Sequence, residues 1–334
     1  MQTTKKKPSL IFIFVGAVLM YGVYRGFDFA TLGTFFSKRS NYVWVVAVLA
    51  VGILANVFRS LRWHMLLEAA HIKTTRRRAI ELMFISYLIN SITPRLGELT
   101  RSLLVKRGDA KVSTRAFGTV VIEKAADIVC LVLVVGLTIT LRWHNTVSLV
   151  HNLTEGLTWM VPNYGFYIAI GCGVCLLIGL TFKLWWKHVH NFIQNLWVGI
   201  SAVAHLKSPL YFSALCLAIW MCNFLQLYLL VPCFCEMAAI GLADTLHVFA
   251  ATSVGVLLPT PAGAGPWHFA IVKTLTTVYG IAKSVAQSYA LITHGLKTVL
   301  VMILGVLGYA SYYREVWLWM KRKKKYKSVS NNDK

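Results

Sequence analysis

The feature that most constrains this chain is a set of long apolar runs carrying little charge. A helix needs about 20 such residues to cross a hydrocarbon core of roughly 30 Å. Six stretches read as spans: residues 9–24, 42–58, 116–141, 164–182, 210–232 and 284–311. Inside lipid each backbone N–H and C=O must be bonded within the protein, so runs of this kind fold as helices. Of the residues 57% are hydrophobic and 14% charged, against about 25% charged in soluble domains. An all-α polytopic membrane protein is expected. Lys5, Lys6 and Lys7 precede the first run as in a signal peptide, but no small-x-small cleavage pattern follows, so a retained anchor helix is expected.

The net charge of +22 would suit a nucleic-acid binder, but its distribution argues otherwise. Segments 1–8, 59–78, 106–115, 183–209 and 313–334 hold 24 Lys and Arg; the segments assigned to the other side hold only Lys38, Arg39, Arg142 and Lys283. Positive residues near span ends favour the cytoplasmic side. Both termini are therefore expected in the cytoplasm, in an inner or plasma membrane. The basic cluster Arg76, Arg77, Arg78 and the tail from Lys321 to Lys327 then face anionic lipid head groups rather than nucleic acid. The segment 185–205 is amphipathic and is expected to lie along the inner surface.

Two further apolar stretches are broken. Residues 79–105 are interrupted around Asn90, Pro94, Arg95 and Gly97, and residues 245–279 around Pro259, Pro261, Gly263 and Gly265. Proline ends the helical hydrogen-bond ladder and glycine permits the sharp turn. Each arm is about half a bilayer long at 1.5 Å per residue, so both stretches read as re-entrant helical hairpins. The layout becomes span, span, hairpin, span, given twice, with the second half inverted: a first repeat at 1–142, a second at 143–312, and a basic tail at 313–334. Broken helices in inverted repeats are a transporter pattern. Eight plain spans, two of them kinked, is the competing layout; it places Lys106, Arg107, Lys111 and Arg115 outside, against the positive-inside rule.

Ionisable groups inside spans are costly and functional by default. Arg95, Glu98 and Arg101 follow the first break, and Glu123, Lys124 and Asp127 share the next span. Glu98 and Arg101 are three apart and Glu123 and Asp127 four apart, each pair on one helical face; Lys124 is placed to neutralise Asp127. Three charges of each sign suggest an ion-pair network with which substrate can exchange. The competing reading puts these residues at the interface, with Arg95 and Lys124 snorkelling. The second half supplies bases instead: His268 and Lys273 after the second break, then His294 and Lys297 on the last span. Together with the arginines they offer a path for an anionic head group, since Arg binds phosphate bidentately.

There is no phosphate-cradling glycine loop ending in Lys-Ser/Thr, no HExxH and no GxSxG, so neither an ATPase nor a hydrolase is expected. Neither a cofactor nor a metal is expected, because the His and Cys residues show no ligand spacing. Cys172 and Cys175 have redox spacing without a thioredoxin-like context.

The run Asn90-Ser-Ile-Thr-Pro94-Arg95-Leu-Gly97-Glu98-Leu-Thr-Arg101, then Glu123-Lys124-Ala-Ala-Asp127, then Leu258-Pro259-Thr-Pro261-Ala-Gly263-Ala-Gly265, resembles the flippase-like membrane domain of the lysylphosphatidylglycerol synthase (multiple peptide resistance factor) family. The resemblance covers nearly the whole chain. It implies a lipid translocase fold that moves an anionic or aminoacylated phospholipid, or another lipid-linked molecule, between leaflets. Lys124 stands where the family usually has Arg, which keeps charge but not the bidentate fork. His268 stands where many relatives carry Glu, so a role assigned to an acid there does not carry over. The sequence ends at Lys334 without the family's soluble aminoacyl-transferase domain, so the chain is not expected to make lysylphosphatidylglycerol alone.

On this reading Arg95 and Arg101 engage a phosphate, Glu98, Glu123 and Asp127 hold them or bind an amine, and His268, Lys273, His294 and Lys297 line the opposite approach. The rival classes are a membrane-embedded lipid-modifying enzyme with Glu123 or Asp127 as general base, and an accessory subunit of a lipid or glycolipid synthase. Membrane lipids are the expected partners; a homo-oligomer or a separate synthase partner stays open.

Overall fold

The structure, a computed structural model, describes residues 8–93, 95–106, 109–155, 197 and 201–332. The expected span at 164–182, most of the segment 185–205, the Cys172/Cys175 pair and Pro94 lie outside the described residues. Among those described there is no strand. The helices are α1 (Pro8–Tyr24), α2 (Phe29–Ser37), α3 (Asn41–Ala69), α4 (Arg76–Ile92), α5 (Leu96–Leu104) and α6 (Ala110–Leu141). They continue with α7 (Trp143–Glu155), α8 (Pro209–Tyr228), α9 (Leu242–Gly255), α10 (Pro266–Thr277) and α11 (Lys283–Asn332).

Among the described residues three helices are long and apolar enough to cross a membrane: α3, α8 with its following turn to Cys233, and α11 as far as Arg314. A fourth crossing is added if α1 and α2, bent by 83° at their junction, count as one span. α6 carries Glu123, Lys124 and Asp127 at its centre and is not among them. Many large apolar side chains project outwards, including Val43, Val46, Ile128, Val132, Val299 and Ile303. A surface of that kind is stable against acyl chains and unstable in water. The protein is an α-helical membrane protein.

Helix ends differ from the expected span ends in one consequential place. The expected second span stops at residue 58, before the cation-rich segment, but α3 continues to Ala69. The reason is local. No Pro or Gly occurs between Gly52 and Arg78, and Trp63, Leu66 and Leu67 keep apolar helical spacing and are fully buried. Arg59 and Arg62, read from sequence as loop charges, are thereby carried into the bundle.

Both broken stretches fold back on themselves. In the first, Gly97 N–H donates to Asn90 Oδ1 at 2.8 Å, and Arg101 reaches back to Met83 Sδ at 3.1 Å. α5 therefore runs antiparallel to α4. Gly97 is required there: a Cβ would collide with the Ser86 carbonyl. In the second, His247 on α9 meets the Tyr279 hydroxyl beyond α10 at 3.0 Å. Its turn uses positive φ at Ala262, Gly263 and Gly265; Gly265, at φ 91°, also presses against the backbone of Gly16 on α1.

The two pairs exchange partners between the halves of the chain. α4 packs along α11, α9 packs along α6, and α3 packs along α8. The α4/α11 seam is close because α11 presents glycines. A Cβ on Gly305 would stand 2.5 Å from Leu88 Cβ, and one on Gly308 2.8 Å from Phe84 Cβ. Without a hydrophobic driving force in lipid, such small-residue contacts are how membrane helices pack. The seam continues in the Arg78 guanidinium over the Tyr312 ring at 3.6 Å.

Gly305→Ala is expected to lower stability by about 1–3 kcal/mol through overpacking. Gly136→Ala, where nothing lies within 4 Å of the new Cβ, is expected to leave it unchanged or raise it. The thermal unfolding midpoints of the two purified variants in detergent check the contrast.

Candidate functional site

The charged residues of the first half meet where α3, α5 and α6 converge. Arg62 is fully buried. Its Nη1 lies 2.8 Å from Asp127 Oδ1 and its Nη2 3.9 Å from Glu123 Oε1. The other oxygen of Glu123 takes Arg101 Nη2 at 3.1 Å. Arg101 is buried as well, its guanidinium 4.5 Å from the Trp63 ring centroid. The Trp63 indole N–H is bonded in turn to Thr119 Oγ1 at 3.1 Å. The result is a chain of alternating charge, Asp127–Arg62–Glu123–Arg101, crossing three helices. Lys124 Nζ sits 3.2 Å from Glu98 Oε1, and Asn90 Nδ2 donates to Glu98 Oε2 at 3.2 Å. Lys124 therefore neutralises Glu98 and not Asp127, because Arg62 already occupies Asp127. The balanced set read from sequence gains Arg62 as a further cation.

Beside this network lies a cavity of about 320 Å³, at the lower end of the size range of small-molecule pockets. Arg59 of α3, Arg95 at the first break, Lys124, Asp127, Ile128 and Leu131 of α6, and Thr293 and Lys297 of α11 line it. Trp220, Asn223, Gln226 and Leu227 of α8, Phe249, Thr252 and Ser253 of α9, Val256 and Leu257 just beyond it, and Trp267 of α10 complete the wall. Both broken stretches reach it: Arg95, held at φ 62°, donates from Nη2 to the carbonyl of Leu257 at 3.3 Å.

The charges of the lining do not cancel. It contains four cations and one carboxylate, and that carboxylate is held by Arg62 from behind the wall. Lys124 is taken by Glu98. Among the described residues Arg59, Arg95 and Lys297 form no ion pair with any carboxylate. A lining with more cations than carboxylates attracts an anion, because Coulombic terms grow as the effective dielectric falls.

The residues singled out from sequence divide into three groups. Arg95, Lys124, Asp127 and Lys297 line the cavity. Glu98, Arg101 and Glu123 stand behind it in the ion-pair network. His268, Lys273 and His294 are not in the lining. His268 is buried, its ring 4.5 Å from that of His294 and 5.6 Å from that of Tyr24. His294 bonds the Ala262 carbonyl at 3.1 Å and so braces the second turn. Of the turn residues, Asn90 and Gly97 lock the first break, and Gly263 and Gly265 shape the second.

Sequence reasoning missed Arg59, Asn223, Gln226, Thr252, Ser253 and Thr293. Asn223 and Gln226 carried a signal, two amides three apart within an apolar span, which must face protein or a polar cavity. Arg59 was hidden by the assumption that a cation ends a span.

The chain matches the family model of the lysylphosphatidylglycerol synthase TM region over residues 9–305. No curated protein and no solved structure matches it. The chain therefore belongs to the lysylphosphatidylglycerol synthase transmembrane family, whose members are associated with membrane phospholipid metabolism.

Removing one partner of a buried ion pair leaves an uncompensated charge. Arg62→Ala is expected to cost about 3–5 kcal/mol. Lys124→Ala, at a pair whose lysine is about half exposed, is expected to cost under about 1 kcal/mol. Thermal unfolding of both purified variants measures the difference.

Proposed function

We propose that the chain translocates a lipid with an anionic head group between membrane leaflets, with the cavity as the head-group site. The observation that carries this reading is the lining itself: the cations Arg59, Arg95, Lys124 and Lys297 against one carboxylate, Asp127, set among Trp220, Phe249, Leu131 and Trp267. Cations with apolar walls suit an amphiphile whose head is charged and whose tail is not.

The architecture supports the same reading. Two broken stretches, one in each half, fold back and meet at the cavity through the Arg95 contact with Leu257. Each packs against the last long helix of the other half, α4 on α11 and α9 on α6. That exchange is what two inverted repeats with re-entrant hairpins produce, and substrate sites in such folds lie where the breaks meet. In this arrangement α6 is a crossing beside the four candidates above; the remaining expected span, 164–182, lies outside the described residues. Transferring Arg59 and Arg62 from loop to helix leaves 22 Lys and Arg on the side of the termini against four, so both termini still belong in the cytoplasm.

The lipid-modifying enzyme is the weaker reading. A general base needs a free carboxylate beside its substrate, whereas Glu98, Glu123 and Asp127 are each engaged by a cation. Lys297 and Arg95 bind the anion, Arg59 adds charge from α3, and His268 and His294 support the second turn.

Leaflet exchange of a labelled anionic phospholipid in liposomes carrying the purified protein tests the proposal. The wild type is expected to exchange the label, and Arg59→Gln with Lys297→Gln to slow exchange by at least about tenfold, the loss of two charge-assisted contacts. Exchange unaltered by the double substitution removes the cavity from the pathway. No exchange by the wild type removes the translocase.

A further inference from the structure

We infer that the cavity selects a doubly charged anionic head group without an amine, of the phosphomonoester class and carried on an apolar chain, and that it disfavours aminoacylated and zwitterionic phospholipids. The inference rests on the translocation reading and narrows its substrate.

It begins with carboxylates rather than cations. A lipid carrying an ammonium group needs an acceptor of opposite charge once it leaves water. Each carboxylate near the cavity already has a cation on one of its oxygens. Asp127 gives Oδ1 to Arg62 at 2.8 Å, Glu123 gives Oε2 to Arg101 at 3.1 Å, and Glu98 gives Oε1 to Lys124 at 3.2 Å. An ammonium brought into the lining would meet the cations Arg59, Arg95, Lys124 and Lys297 against the single carboxylate of Asp127, which Arg62 already holds. Like charge placed against like charge is how a site rejects a competing ligand.

The cations point the same way. Arg59 and Lys297 come from different helices, and both line the cavity. Arg95, at the meeting of the two breaks, lines the same cavity, so three positive charges border one space. A phosphodiester brings one negative charge. A phosphomonoester brings about 1.5 to 2 near neutral pH and three acceptor oxygens, the closer match to three donors. The apolar chain is indicated by the apolar residues of the lining. Ile128, Val256 and Leu257 are each about half exposed, at 55%, 46% and 54%, and belong to α6 and the residues just beyond α9. They form an apolar edge that continues to the outward-facing Val129 and Val132 of α6. An acyl chain attached to a head group in the cavity lies along that edge.

The test is equilibrium binding to the purified full-length protein in detergent, near neutral pH, with separate probes. These are phosphatidic acid, phosphatidylglycerol, lysylphosphatidylglycerol, phosphatidylethanolamine and soluble glycerol 3-phosphate. Phosphatidic acid is expected to bind at least about tenfold more tightly than phosphatidylglycerol, a margin typical of added charge-assisted hydrogen bonds. Lysylphosphatidylglycerol is expected to bind no better than phosphatidylethanolamine. The preference is expected to vanish in Lys297→Gln and Arg59→Gln, and to persist in Lys283→Gln, an exposed lysine at the start of α11 outside the lining. Unfolding midpoints are recorded alongside, and the comparison uses whichever cavity variant stays folded. Equal or tighter binding of lysylphosphatidylglycerol overturns the inference, as does a preference that survives in a folded cavity variant. Glycerol 3-phosphate binding as tightly as phosphatidic acid overturns the apolar chain. Exchange of phosphatidylglycerol in liposomes without any phosphomonoester preference overturns this inference and leaves translocation standing. Phosphatidic acid preference without exchange of any lipid supports it and counts against translocation.

Discussion

The Arg62 guanidinium, buried between Asp127 and Glu123, is the interaction on which the rest of the structure depends. It joins α3 to α6 and, through Glu123, to Arg101 on α5. Charges this deep are tolerated only when paired, and each such pair holds its helices in one register. The pairing also decides the electrostatics of the cavity. By engaging Asp127 from behind, Arg62 leaves Arg59, Arg95 and Lys297 as the net charge of the lining. The same residue therefore builds the scaffold and sets the sign of the site without facing it.

A second constraint follows from backbone chemistry. Helices interrupted by proline and glycine expose N–H and C=O groups that lipid cannot satisfy. Here the interruptions are closed by protein: Asn90 accepts from Gly97 N–H, His294 bonds the Ala262 carbonyl, and Arg95 caps the Leu257 carbonyl. The last of these links the two breaks. Residues that tie off the broken backbone thus bring the two halves of the chain to the same cavity.

Much of the helical layout was legible in the sequence because its causes are local. Apolar run length set most long helices, and Pro and Gly marked both breaks within a few residues. The tertiary pairings were not legible. Helical spacing put Lys124 within reach of Asp127, yet α3 delivers Arg62 to that carboxylate and frees Lys124 for Glu98. Spacing along one helix cannot report a competitor arriving from another. Arg59 and Arg62 were assigned to a loop by charge, although the absence of any helix breaker through residue 78 pointed to a longer helix. Asn223 and Gln226 could have been found by treating amides as strictly as charges. His268 and Lys273, expected along the opposite approach, lie outside the lining; proximity in sequence to the second break does not report which side of α10 faces the cavity.

The central claim is that the buried pairs are structural and the unpaired cations are functional. Leaflet exchange by the apolar replacement Arg101→Met/Glu123→Leu, set beside Lys297→Gln, measures it most directly. Replacing both members of that buried pair removes its two charges together, and Arg62, which loses the longer contact to Glu123, keeps Asp127 at 2.8 Å. The account predicts near-wild-type exchange for the first protein and loss of exchange for the second. Loss in the folded pair replacement, with exchange retained in Lys297→Gln, would contradict it.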